Sequence, residues 1–187
     1  VIIHEWGDFI DHMFSCNGNP GGPHTLPGWN AGDGGDRLSW GEGFADYYQS
    51  AARTIMPKAT FTDWYIDVSG PTVNFENVAG TAGALNEAAV ASLLWDFMDT
   101  TVDISDTVAH GHAQLQRVFA DPAFKGNAQC NMASFLTAWR DVGYATDAAT
   151  AATVVQNVNI VNPFATTAAA ASATHTTGSA STPTETS

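Results

Sequence analysis

Near the start of the chain stand His4, Glu5 and Asp8, in the string His4-Glu5-Trp6-Gly7-Asp8. On a helix, positions i and i+4 lie on one face a turn apart, so His4 and Asp8 can face a single ion. An imidazole and a second ligand at this spacing suit a divalent metal, and a glutamate beside the first ligand is placed to take a proton from metal-bound water. Glu5 fills that role by position. The usual form of the string is His-Glu-x-x-His, and Asp8 stands where the second imidazole would be. Asp is a legitimate oxygen ligand for zinc, but it is shorter than imidazole and a harder donor, so affinity should fall or shift toward other divalent ions. His12 lies about 12 Å along the helix axis from His4 and off its face, which excludes it as a primary ligand on a straight helix. His24, in the loop that follows, is the better substitute because a loop can fold back, although Asp8 does not require one.

A second string, Trp40-Gly41-Glu42-Gly43-Phe44-Ala45-Asp46-Tyr47-Tyr48, follows downstream. Taken with the first, it resembles the glutamate helix of the gluzincins, the superfamily of zinc peptidases that includes thermolysin and the zinc aminopeptidases. Two further segments are similar to a group of bacterial exported gluzincin-like proteins. They are Ala88-Ala89-Val90-Ala91-Ser92-Leu93-Leu94-Trp95-Asp96-Phe97-Met98-Asp99, and Phe135-Leu136-Thr137-Ala138-Trp139-Arg140 followed by Gly143-Tyr144. The resemblance thus covers most of residues 1–160. It implies Zn²⁺ held by His4, Asp8 and Glu42, with Glu42 as third ligand and Glu5 as general base in the hydrolysis of peptide bonds. Asp46, one turn beyond Glu42, would orient His4 or a neighbouring ligand. The sheet that the superfamily places upstream is expected to be missing.

The elements that must hold these residues are legible as periodicity. Ile2, Ile3, Trp6, Phe9, Ile10, Met13 and Phe14 recur at three-and-four spacing, which predicts an amphipathic helix over 1–14. A stretch dense in Gly, Pro, Asn and Asp from 17 to 36 predicts a long loop. A second helix is expected from Ser39, as N-cap, to Met56, where Pro57 stops it. Residues 59–78 read as a loop with one or two short strands. Further helices are expected over 85–98, central to the core, then 107–119, 132–142 and 148–157. The expected class is therefore mainly α, a helical gluzincin-like domain over 1–164 without the upstream sheet. Residues 165–187, almost entirely Ala, Thr and Ser, read as a tail or linker too poor in large side chains to repay their own ordering.

Composition narrows the partners. Six Lys plus Arg against nineteen Asp plus Glu give a formal charge of -13, which repels a nucleic-acid backbone. No run approaches the roughly 20 apolar residues that span a bilayer, so no membrane insertion is expected. The chain opens at Val1 with neither initiator Met nor signal-peptide pattern, and we expect a processed precursor or part of a longer protein. Cys16 and Cys130 lack the spacing of a metal or redox motif and either pair as one disulfide or remain as buried thiols. The Ser/Thr tail, a type that often carries O-glycans, points to an extracellular or cell-surface home.

Other polar groups have simpler readings. Asp33-Gly34-Gly35-Asp36 lacks the spaced carboxylates of a calcium loop. His110-Gly111-His112 reads as a helix end, and Asp96, Asp99, Asp103 and Asp106 as a charged loop, while Trp95, Phe97, Trp139 and Tyr144 read as core. Tyr47, Tyr48, Tyr65, His24, His110 and His112 are donors that an oxyanion would need, and the sequence does not rank them. The expected function is a secreted zinc metallopeptidase or close derivative acting on peptide or protein. The alternative is a peptidase fold whose chemistry has decayed into a structural, adhesive or self-associating role.

Overall fold

α2 (Gly35–Thr54) is the axis around which the rest packs in the computed structural model, which describes residues 1–16, 18–22, 24, 35–68, 70–77, 83–99, 108–127 and 130–144. It begins four residues before the expected N-cap. Ser39 lies buried inside the helix, and its hydroxyl donates back to the Gly35 carbonyl at 2.7 Å. Asp36 occupies the first turn, where a carboxylate suits the helix dipole, and also accepts from Asn131 Nδ2 at 2.7 Å. The helix ends at Thr54 rather than Met56.

α1 (Ile2–Phe14) and α3 (Glu87–Met98) both pack against α2. Asn86 caps α3, its side chain accepting from the Ala89 amide at 2.9 Å, and the helix starts at Glu87, two residues after the expected start. Between α2 and α3 the chain forms β1 (Trp64–Asp67) and β2 (Gly70–Asn74), one antiparallel pair with Tyr65 opposite Val73 and an irregularity between Tyr65 and Ile66. α2 grips β1 directly: Gln49 exchanges two hydrogen bonds with the Ile66 backbone, and Ser50 and Arg53 donate to the Trp64 carbonyl.

Beyond α3 lie α4 (His112–Phe119), α5 (Pro122–Lys125) and α6 (Met132–Asp141). Asp121-Pro122 closes α4 as expected, but it also opens the unexpected α5, with Asp121 accepting from the amides of Ala123 and Phe124 and Pro122 in the first turn. Asn131 and Ser134 cap α6 reciprocally. Of the helix expected over 107–119, residue 107 lies outside the described residues, and so do the helix expected over 148–157 and the tail.

The core is aromatic. Trp40 and Phe44 of α2 meet Phe119, Phe124 and Phe135, and Phe97 of α3 stacks on Trp139 with ring centroids 4.5 Å apart. Each such side chain contributes roughly 1.5–3 kcal/mol by leaving water. α1 does not follow this pattern. Its apolar stripe faces out, with Ile2 77%, Trp6 55%, Phe9 46% and Met13 51% exposed, while Gly7 and Asp11 are buried. The cause is the approach to α2: a Cβ on Gly7 would sit 2.7 Å from Ala45 Cα, so the helices touch through the one residue without a side chain. That contact turns the polar face of α1 inward.

Cys16, just after α1, and Cys130, just before α6, form a disulfide with Cα atoms 5.5 Å apart, resolving the two cysteine alternatives. The described part of the chain is mainly helical, and no described helix is long and apolar enough to cross a membrane.

Candidate metal centre

The Gly7 contact sets α1 against α2 so that two i, i+4 pairs, His4 with Asp8 and Glu42 with Asp46, face each other. His4 Nε2 lies 3.4 Å from Glu42 Oε2 and 3.8 Å from Asp8 Oδ2, and ligand atoms of these three residues all fall within 4.8 Å of one another. His4 Nδ1 meets Asp46 Oδ1 at 2.9 Å. Asp46 is 1% exposed, so its carboxylate is held in place and fixes the ring.

The glycines on either side of Glu42 admit two more neighbours. A Cβ on Gly41 would lie 2.6 Å from Asn19 Nδ2, and Asn19 donates to Glu42 Oε1 at 3.1 Å. A Cβ on Gly43 would lie 2.6 Å from the Glu87 carbonyl and 2.7 Å from Val90 Cβ, so the start of α3 rests on the glycine itself. Glu87, 1% exposed, reaches His24: Glu87 Oε2 and His24 Nδ1 are 2.9 Å apart, and His24 Nε2 is 3.6 Å from Glu42 Oε2. His24, Glu42 and Glu87 form a second set with ligand atoms within 4.8 Å.

Charges in this cluster act strongly on one another. Burial opposes a proton on His4, but the hydrogen bonds to Asp46 and Glu42 and the charge of Asp8 outweigh it and push His4 up to about 10. Burial and the charge of Glu42 push Asp8 up to about 6. Burial works against Glu42 as well, yet His4, Asn19 and His24 hold it below the ordinary carboxylate range. Burial raises Asp46, and its contact with His4 opposes the rise.

A divalent ion suits this donor set. Zinc bonds of roughly 2.0–2.1 Å in a tetrahedron require donor separations of roughly 3.3–3.5 Å, close to those from His4 Nε2 to Glu42 and Asp8. Asp8 Oδ1 is buried and accepts no hydrogen bond among the described residues, an acceptor that a cation would satisfy. Asp8 also borders a cleft of about 370 Å³, lined in addition by Phe9, His12, Asn19 and Gly21.

The remaining sequence candidates separate clearly. Glu5 is exposed on α1, near enough for its charge to raise Asp8. Of the six oxyanion donors, Tyr65 has its ring edge-on to His4 at 5.9 Å, and its hydroxyl is raised by burial and by surrounding carboxylates. His24 joins the cluster as described. Tyr47 pairs with His112 at 3.3 Å, Tyr48 stacks on Phe44, and His110 packs on Trp139 and Tyr144. Asp96 and Asp99 are buried on and just after α3 rather than in a charged loop, whereas Asp33, Asp103 and Asp106 lie outside the described residues. Glu87 and Asn19 are the members that sequence reasoning missed. Comparison with protein-family models, with curated proteins and with solved structures finds no match for the chain.

Proposed function

We propose that the chain is an exported, gluzincin-like zinc metallopeptidase or a close derivative, with the ion held by His4, Asp8 and Glu42. The observation that carries this reading is the convergence of His4 Nε2, Asp8 Oδ2 and Glu42 Oε2 from two helices while Asp46 holds the far side of the imidazole. A bound zinc ion would supply a water of lowered pKa and polarise the scissile carbonyl. With zinc in place of the Nε2 proton, Asp46 would keep the Nδ1 proton of His4 and so fix the tautomer that offers Nε2 to the ion between Glu42 and Asp8. Asn19 anchors the second oxygen of Glu42, so that Oε2 keeps its direction. Glu5, beside His4, is the group that would accept the proton of the attacking water and return it to the leaving amine. The cleft bordered by Asp8 and Phe9 is the approach for an extended peptide. The disulfide and the Ser/Thr-rich tail support an extracellular setting.

Isothermal titration of zinc into wild type, Asp8→Ala and Asp8→His tests the reading. Wild type should bind one ion, Asp8→Ala should lose affinity, and Asp8→His should keep or gain it through the softer donor. Hydrolysis of a peptide library should vanish with chelator, and Glu5→Gln should lower the rate about 10²–10⁴-fold with zinc still bound. The exposed stripe Ile2, Trp6, Phe9 and Met13 favours a second reading, a self-associating surface protein without chemistry. Wild type that takes no zinc and self-associates would establish that reading in place of the first.

A further inference from the structure

We infer that His24 is the second imidazole ligand of the same ion, held for that purpose by Glu87, and this rests on the zinc reading above. The two histidines are built alike. Each turns Nδ1 to a buried carboxylate at 2.9 Å, His4 to Asp46 and His24 to Glu87, and each turns Nε2 to the same oxygen, Glu42 Oε2, at 3.4 and 3.6 Å. With zinc in place of any Nε2 proton and the Nδ1 proton kept on its carboxylate, Nε2 of each histidine would be the nitrogen left to the ion. Donor separations of roughly 3.3–3.5 Å are needed about a tetrahedral zinc. His24 stands near that distance from Glu42, while the two imidazoles belong to separate donor sets that share Glu42 and must draw together to hold one ion.

The backbone before His24 is shaped to return it to Glu42. Asn19 Oδ1 accepts from the Gly21 amide at 2.8 Å, and Gly21 and Gly22 have φ of +63° and +132°, values that turn the chain where other residues would be strained. The same Asn19 donates to Glu42 Oε1, which ties the turn to the ligand it serves. At the far end Glu87 is a carboxylate buried at the first residue of α3, a costly position unless hydrogen-bonded. His24 thereby supplies the nitrogen donor that Asp8 denies the helix pair, and the donor set becomes two imidazoles and Glu42, with Asp8 beside them.

X-ray absorption on the zinc-loaded full chain counts imidazole ligands without measuring activity. Two imidazoles in wild type falling to one in His24→Ala are expected, with zinc affinity in titration reduced at least about 10–100-fold, the loss typical of disturbing even an outer partner. Glu87→Gln should weaken zinc by about 10–100-fold with both imidazoles retained. Bound zinc with one imidazole in wild type overturns the inference and leaves the zinc reading standing, and this count needs no variant to fold. Zinc affinity equal in wild type and a folded His24→Ala likewise overturns it, leaving His24 as an imidazolium bridging Glu42 and Glu87. Failure of wild type to bind zinc overturns both.

Discussion

α1 and α3 pack against the same helix and are held by opposite physics. All twelve residues of α3 are buried, so it is seated by dispersion and by the exclusion of water. α1 presents its apolar residues outward and meets α2 through Gly7, Asp11 and the polar cluster, with Ile10 the partly buried apolar residue packed against the core. A helix seated by hydrophobic burial keeps its place whatever the ionic conditions. One seated by facing charges depends on what neutralises them, and α1 carries two of the proposed zinc ligands and the proposed base.

The largest test of this contrast lies in the core that α3 completes. Trp139→Ala should cost about 3–5 kcal/mol in denaturant unfolding, by the same amount with and without zinc. On the α1 side, zinc at a hundredfold excess over its Kd should add about 2.7 kcal/mol, and hydrogen exchange should slow in α1 while α3 is unchanged. Equal slowing in both helices would erase the distinction.

The dependence on pH has a definite sign. In the folded chain His4 keeps its proton to about 10, above the ordinary 6.5, so its contribution is complete below pH 6.5 and is lost as the pH rises toward 10. Asp8, raised to about 6, and Asp11, raised by burial to about 7, act in the same direction at lower pH, each losing its contribution as the pH rises above the ordinary 3.8. Glu42, lowered from 4.5, contributes above that value and loses it in acid. Melting temperature in EDTA should therefore fall between pH 6.5 and 10. With zinc in place of the proton on His4 the fall should flatten or reverse, because metal affinity rises as the ligands deprotonate. A smaller effect is expected at the contact itself: Gly7→Val should cost about 1–3 kcal/mol by wedging α1 away from Ala45, and should weaken zinc binding. The smallest is at the outward stripe, where Ile2→Ser should change stability by less than about 0.5 kcal/mol.

The same contrast explains what the sequence could and could not disclose. His4 with Asp8, and Glu42 with Asp46, were readable because each pair is set by one turn of its own helix. Periodicity also located α1, but the outward direction of its stripe follows from an absent side chain at Gly7 meeting Ala45, a contact between distant segments. Glu87 reads in sequence as an ordinary acid in a first turn, and only the seat provided by Gly43 reveals that it is buried beside the centre. For His24 the signal was Asn19-Pro20-Gly21-Gly22, a turn string whose direction is fixed by a bond to Glu42. Ser39 misled because a good N-cap residue also fits inside a helix when its hydroxyl can reach the carbonyl four residues back.

The bond between Cys16 and Cys130 closes a ring that contains α2, the sheet, α3, α4 and α5. A single cut of the main chain anywhere in that ring leaves both pieces covalently joined through sulfur. The turn after α2 is an inviting place for such a cut, with Ile55 85% and Phe61 53% exposed. A molecule nicked there would keep its full mass on a gel run without reductant and separate into two bands once reduced, with the proposed ligands His4 and Glu42 still on one continuous stretch of chain.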